Sequence, residues 1–137
     1  IEGELAARAI ANLTHADIER LEILTSEYED TGEAQDVATL NHAFHFKLYE
    51  AAGSSVFMPI VESLWMQAGP YVRAAAKLHS PLTDTAATLH HRGILAAIRA
   101  GDKAQVSAEL TADISQSFAI LERAGPEFWV AENGAAS

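Results

Sequence analysis

The chain has 137 residues, 49% of them hydrophobic, and a formal net charge of −10 from 19 acidic and 9 basic residues. This length fits one domain with a substantial core, and the composition is typical of a folded protein rather than a disordered one. The acidic surface disfavours binding to nucleic acid, and the absence of cysteine excludes disulfides and thiolate metal ligands.

Apolar residues recur at helical spacing along the first part of the chain. The first predicted helix covers residues 1 to about 13. Thr14 followed by Asp17 resembles a capping box and predicts the start of a second helix. A third helix is predicted to begin with Asp36 as its N-cap and to end at Gly53.

The fourth predicted helix contains helix-breaking residues. Ser54 or Ser55 is its predicted N-cap. The pair Gly69-Pro70 lies inside the segment, so we expect a kink or a break there, and Pro81 predicts the end of the segment that follows.

Two further helices are predicted in the last part of the chain. Thr83 or Asp84 is the predicted cap of the fifth helix, which ends at Gly101. Asp102 is the predicted N-cap of the sixth helix, which reaches Ala124.

No alternating pattern of apolar and polar residues predicts a strand, so the expected fold class is all-α. We expect an antiparallel helical bundle of about six to seven helices with a central ligand or metal cavity. The bundle domain is predicted to cover residues 1–124, and residues 125–137 are predicted to form a flexible tail.

Polar residues interrupt three of the apolar helical faces. Asn41 and His45 lie four residues apart on one face, His91 interrupts a second face, and Asp113 a third. A buried carboxylate or imidazole without a partner is costly. We therefore expect these side chains to contact one another or to share an ion.

Two motifs that include these residues resemble the signatures of a known family. The motifs are Asn41-x-x-Phe44-His45-x-x-Leu48 and the stretch from His91 to Asp102. Together with Asp113, they resemble the FCD domain, the C-terminal effector-sensing domain of FadR-like regulators in the GntR family of transcription factors.

The resemblance implies a divalent metal site whose ligands are Asn41, His45, His91 and Asp113. Two positions depart from the family pattern, because Asn41 stands where Asp is usual and Asp113 stands where the last His is usual. Nitrogen and oxygen donors without sulfur suit Zn²⁺, Ni²⁺ or Mn²⁺. We expect binding to be weaker or less selective than in typical relatives.

The resemblance also implies a small carboxylate effector that binds in the bundle core. The predicted effector-binding residues are Arg73, Tyr71, Trp65 and His79; Arg73 is the predicted partner of the carboxylate. The signal is expected to pass to an N-terminal winged helix-turn-helix domain, absent from this chain, that binds operator DNA as part of a homodimer. The chain begins at Ile1, so we expect a fragment or a processed chain. No apolar run approaches membrane-spanning length and no signal peptide is visible, so we expect a location in the cytoplasm without membrane contact.

Two other functions remain open from the sequence. Two histidines and a carboxylate on a helical scaffold could serve a metal-dependent enzyme, but no Glu-x-x-His pairs and no His-Glu-x-x-His motif occur. We therefore predict that the domain is not an enzyme. The two substitutions at ligand positions also leave room for a dimerisation module with a degenerate metal site.

Overall fold

The computed structural model describes residues 1–31, 33–78 and 88–125. Its six helices are α1 (Glu2–Ala9), α2 (His15–Asp30), α3 (Ala34–Glu50), α4 (Phe57–Leu78), α5 (Leu89–Ala100) and α6 (Lys103–Ala124). No strand occurs in these described ranges, and the predicted all-α class is confirmed. Within the same ranges, no helix is long and apolar enough to cross a membrane.

The start of α2 is fixed by the predicted capping box. The Thr14 hydroxyl accepts a hydrogen bond from the Asp17 N–H at 3.1 Å, and the Asp17 carboxylate accepts one from the Thr14 N–H at 3.0 Å. Lys47 of α3 lies 2.7 Å from the same carboxylate. The bonds from Lys47 and then Thr14 lower the pKa of Asp17 to about 2. The cap therefore also connects α2 to α3.

The turn between α5 and α6 also follows its local sequence. Gly101 ends α5 with a φ of 69°, a left-handed conformation that glycine adopts without steric cost. Asp102 then caps α6 by accepting a hydrogen bond from the Gln105 N–H at 3.0 Å. Both predicted boundaries are confirmed.

Two predicted helix boundaries are wrong. The first helix ends at Ala9 rather than near residue 13. In α3 the N-cap is Glu33 instead of Asp36, which lies inside the first turn and accepts a hydrogen bond from the Thr31 hydroxyl at 3.3 Å. A carboxylate is favourable anywhere in a first turn because it faces the positive end of the helix dipole, so composition alone did not place the cap.

Of the kink or break expected at Gly69-Pro70, the break does not occur, because α4 continues through Pro70. Proline cannot donate to the carbonyl four residues earlier, which belongs to Met66. Met66 is 80% exposed, so water can satisfy that carbonyl. The predicted Ser54 cap is present and accepts from the Phe57 N–H at 3.1 Å. The predictions that involve Pro81, Thr83 and Asp84 concern residues outside the described ranges.

Two helices occupy the centre of the bundle. α6 packs against α1, α4 and α5, while α3 packs against α1, α2 and α4. The largest apolar side chains of the core are fully buried, and they include Leu5, Leu21, Phe44, Leu48, Ile94, Leu95 and Leu110. This packing turns the predicted inner faces of α3, α5 and α6 toward one interior.

Replacing the cap residue in Thr14→Ala should destabilise the protein by about 1 kcal/mol, because the first turn of α2 loses an acceptor. Urea unfolding monitored by circular dichroism would measure the change. Thr111→Ala is the matched control, since Thr111 is exposed in the middle of α6 and bonds only the carbonyl of Ser107. Equal losses in the two variants would contradict the capping role.

Candidate metal centre

Three buried side chains from three helices converge at the centre of the bundle. His45 of α3, His91 of α5 and Asp113 of α6 are 0%, 1% and 8% exposed. One donor atom from each lies within 4.8 Å of the other two. The structure thus brings together the polar residues that interrupt the three apolar faces.

The distances between the donor atoms are close to those of neighbouring ligands on one ion. His45 Nε2 lies 2.8 Å from Asp113 Oδ2, and His91 Nε2 lies 3.4 Å from the same oxygen. Asn41 Oδ1 lies 3.1 Å from His91 Nε2. Adjacent ligands at about 2.1 Å from a metal ion are about 3.0–3.4 Å apart. Two of the three distances lie in this range, and the third, 2.8 Å between His45 and Asp113, is a hydrogen-bond distance that would lengthen slightly around a divalent ion.

Aromatic rings fix the orientation of both imidazoles. Phe44 stacks on His91 with ring centroids 4.1 Å apart and an interplanar angle of 7°, and Tyr28 meets the same imidazole edge-on at 5.4 Å. Trp65 lies 5.2 Å from His45. His91 Nδ1 is buried and has no hydrogen-bond partner among the described residues, so the polar contacts of this ring are made through Nε2.

The protonation states suit metal binding. Burial lowers the pKa of His91, an effect that the charge of Asp113 opposes, so the imidazole keeps a lone pair at neutral pH. Burial opposes the ionisation of Asp113, but its interactions with His91 and His45 prevail and hold the pKa of this carboxyl well below its usual range. Two neutral imidazoles and one carboxylate would leave a divalent ion with one net positive charge.

A second network lies on the far side of His45. His45 Nδ1 is 2.9 Å from the Tyr49 hydroxyl, and that hydroxyl donates to the carboxylate of Glu2 on α1. Trp65 Nε1 donates to the same carboxylate oxygen at 3.0 Å. Burial and the charge of Glu2 raise the pKa of Tyr49, which keeps its hydroxyl protonated.

A cavity of about 230 Å³ opens beside the donor atoms. Its polar lining consists of Glu2, Asn41, His45, Asp113 and Ser117. Its apolar lining includes Leu64, Trp65, Val72, Ile114 and Phe118. Such a cavity can take a small molecule with one polar end and a short carbon skeleton.

Of the predicted effector-binding residues, Trp65 lines this cavity. Arg73 lines a separate, more open groove of about 590 Å³, and Trp65 lines both spaces. Tyr71 is 42% exposed, and its ring centroid is 6.4 Å from that of Phe118 in the cavity wall. His79 lies outside the described residues.

Sequence reasoning missed Glu2 and Tyr49. Tyr49 follows His45 by four residues and so extends the face of Asn41 and His45, a spacing that could have identified it. Glu2 gives no such signal, because acidic residues are common in the first turn of any helix.

Asp113→Asn should lower the free energy of unfolding of the metal-free protein by about 1–3 kcal/mol at neutral pH, because both imidazoles lose a charged partner. The folded pKa of Asp113 lies below its ordinary value, so its contribution is present above about pH 4 and is lost as the pH falls further. Urea unfolding at several pH values would measure this. Asp36→Asn is the exposed control, and equal effects at both sites would contradict the assignment.

Comparison with known proteins identifies the family of the chain. The FCD domain family matches residues 1–116. The HTH-type transcriptional regulator McbR of Escherichia coli (strain K12) is 25% identical over 124 residues, which are 88% of this chain and 56% of McbR.

The solved structure of E. coli McbR/YncC superposes with a TM-score of 0.80 at 24% identity, covering 89% of this chain and 59% of that one, and shows the same fold. The chain thus spans little more than half the length of this relative. The matches are to a regulator rather than to an enzyme, as the sequence predicted. The chain belongs to the FCD domain family.

Proposed function

We propose that this chain is the effector-sensing domain of a DNA-binding transcription regulator. In this proposal it holds a divalent metal ion at Asn41, His45, His91 and Asp113 and binds a small organic acid beside it. Membership of the FCD family and similarity to McbR, an HTH-type transcriptional regulator, support the regulator assignment. Operator DNA would be bound by an N-terminal winged helix-turn-helix domain outside this chain, within a homodimer.

The metal assignment depends on one observation, the convergence of His45, His91 and Asp113 in a buried centre. A nitrogen and oxygen donor set without sulfur suits Zn²⁺, Ni²⁺ or Mn²⁺. Asn41 adds an amide oxygen, a weaker ligand than the carboxylate usual at that position in the family.

The residues around the cavity suit a small carboxylate. When bound, the ion would supply positive charge and open coordination positions. Ser117 offers a hydroxyl near the donor atoms, while Leu64 and Phe118 provide apolar walls for a carbon skeleton. The carboxylates of Glu2 and Asp113 would repel an organic acid in the metal-free cavity, so effector binding should require the metal.

Occupancy of this site would bias the packing of the bundle. The ligands come from α3, α5 and α6, so an ion and its effector would join α3 to the consecutive helices α5 and α6. A ligand shifts a conformational equilibrium only by its differential affinity for the two states. Here the difference would arise from how closely the three helices approach one another.

Arg73 is proposed as a contact for the outer end of the effector. Its guanidinium is exposed in the groove on the other side of Trp65, where it can pair with a second carboxylate. The roles of Tyr71 and His79 stay predictions.

Zinc should raise the thermal unfolding midpoint of the chelator-treated protein, with a stabilisation of about 2.7 kcal/mol at one hundred times the dissociation constant. His45→Ala should lose this effect, and lowering the pH should weaken it because protons compete for the imidazoles. His15→Ala is the control, since that side chain is 89% exposed. Absence of stabilisation by Zn²⁺, Ni²⁺ and Mn²⁺, or retention of it in His45→Ala, would contradict the metal site.

Calorimetric titration of the zinc-loaded protein with small mono-, di- and tricarboxylates should identify a binding acid. Arg73→Ala should weaken the binding of that acid about tenfold, equivalent to about 1.4 kcal/mol. Arg20→Ala removes an equally charged exposed side chain from α2 and should change nothing. Unchanged affinity in Arg73→Ala would remove Arg73 from the site.

A further inference from the structure

We propose that Glu2, acting through Tyr49, is a positioning residue that fixes the tautomer of His45 and thereby makes α1 part of the metal centre. The inference rests on the proposed metal site and concerns residues outside its ligand set. It is carried by the chain of contacts from the Glu2 carboxylate to the Tyr49 hydroxyl and on to His45 Nδ1.

The direction of the hydrogen bonds follows from counting protons. The Tyr49 hydroxyl has a single proton, and it donates that proton to Glu2. The same oxygen lies 2.9 Å from His45 Nδ1, so only its lone pair remains for this contact. His45 Nδ1 must therefore carry a proton and donate it to Tyr49.

This arrangement leaves the opposite nitrogen of His45 available. A neutral imidazole has one N–H, so a proton on Nδ1 leaves Nε2 with a lone pair. That lone pair points at Asp113 Oδ2, which is 2.8 Å away. Two acceptors at this distance require a cation between them, either a second proton or a metal ion.

Without Glu2 the opposite tautomer of His45 would be favoured. The Tyr49 hydroxyl would be free to turn and donate to His45 Nδ1, and the ring proton would move to Nε2. His45 would then donate to Asp113, and the centre would be satisfied without metal. Glu2 thus favours the tautomer that binds metal, as outer hydrogen-bond partners of metal ligands commonly do.

Glu2 is itself held in place. Trp65 Nε1 donates to the same oxygen that accepts from Tyr49, and Tyr49 is fully buried. The neighbouring residues Leu5 and Ala6 anchor α1 in the core. Metal occupancy and docking of α1 should therefore strengthen each other by the same factor, because coupling between two equilibria is reciprocal.

Competition between the protein and a chelator for Zn²⁺ tests the proposal. Glu2→Ala and Tyr49→Phe should each lower zinc affinity about 10- to 100-fold. Glu2→Ala should have no further effect in the Tyr49→Phe background, whereas a simple loss of nearby negative charge would persist there. Glu4→Ala is the matched control, because Glu4 lies on the same helix, is exposed and pairs with Arg8. A Glu2→Ala effect that is absent, or unchanged in Tyr49→Phe, would overturn the proposal.

One additional variant and a spectroscopic measurement separate this inference from the metal site itself. Glu2→Gln keeps an oxygen acceptor without the charge and should retain most of the zinc affinity. In metal-free protein, ¹⁵N NMR should detect a proton on His45 Nδ1 in the wild type and in Glu2→Gln, and its loss in Glu2→Ala. If the wild type binds no zinc, the proposed metal function is wrong, but the ¹⁵N NMR measurement still shows which tautomer His45 adopts. If zinc binds but Nδ1 lacks its proton in the wild type, the positioning role alone fails.

Discussion

The arrangement of the bundle depends on the contacts between the buried carboxylate of Asp113 and two histidines. A charge in an apolar interior is stable only with partners that compensate its lost hydration. Asp113 on α6 obtains them from His45 on α3 and His91 on α5. The three helices must approach closely enough for these contacts, and the surrounding apolar side chains then pack around a polar centre.

The centre has two sides with different environments. On the side of His91, Phe44 and Tyr28 cover the ring, and Nδ1 has no partner among the described residues. The side of His45 is connected by hydrogen bonds to Tyr49 and to the α1 carboxylate. A cavity adjoins the donor atoms, and its lining includes His45 and Glu2. A ligand bound there can therefore affect α1 through the hydrogen bonds that connect His45, Tyr49 and Glu2.

Capping and turn motifs in the sequence correctly predicted the helix boundaries that are fixed by hydrogen bonds between nearby residues. The Thr14–Asp17 box and the Gly101–Asp102 turn depend on atoms three or four residues apart, and both are present. α4 continues through Pro70, and the carbonyl left without a donor belongs to Met66, whose exposure depends on how α4 lies on the bundle. The α3 cap was misplaced because several acidic residues near a helix start satisfy the same electrostatic preference.

The sequence by itself determined which residues face inward, since helical spacing places Asn41, His45, His91 and Asp113 on apolar faces. It also indicated the family through the motifs around them. Tertiary structure alone decided that Nε2 of His45 meets Asp113, a residue 68 positions away, and that Glu2 reaches His45 through Tyr49. Periodicity specifies the direction of a side chain around its own helix, whereas the distance between side chains on different helices depends on how the whole core packs.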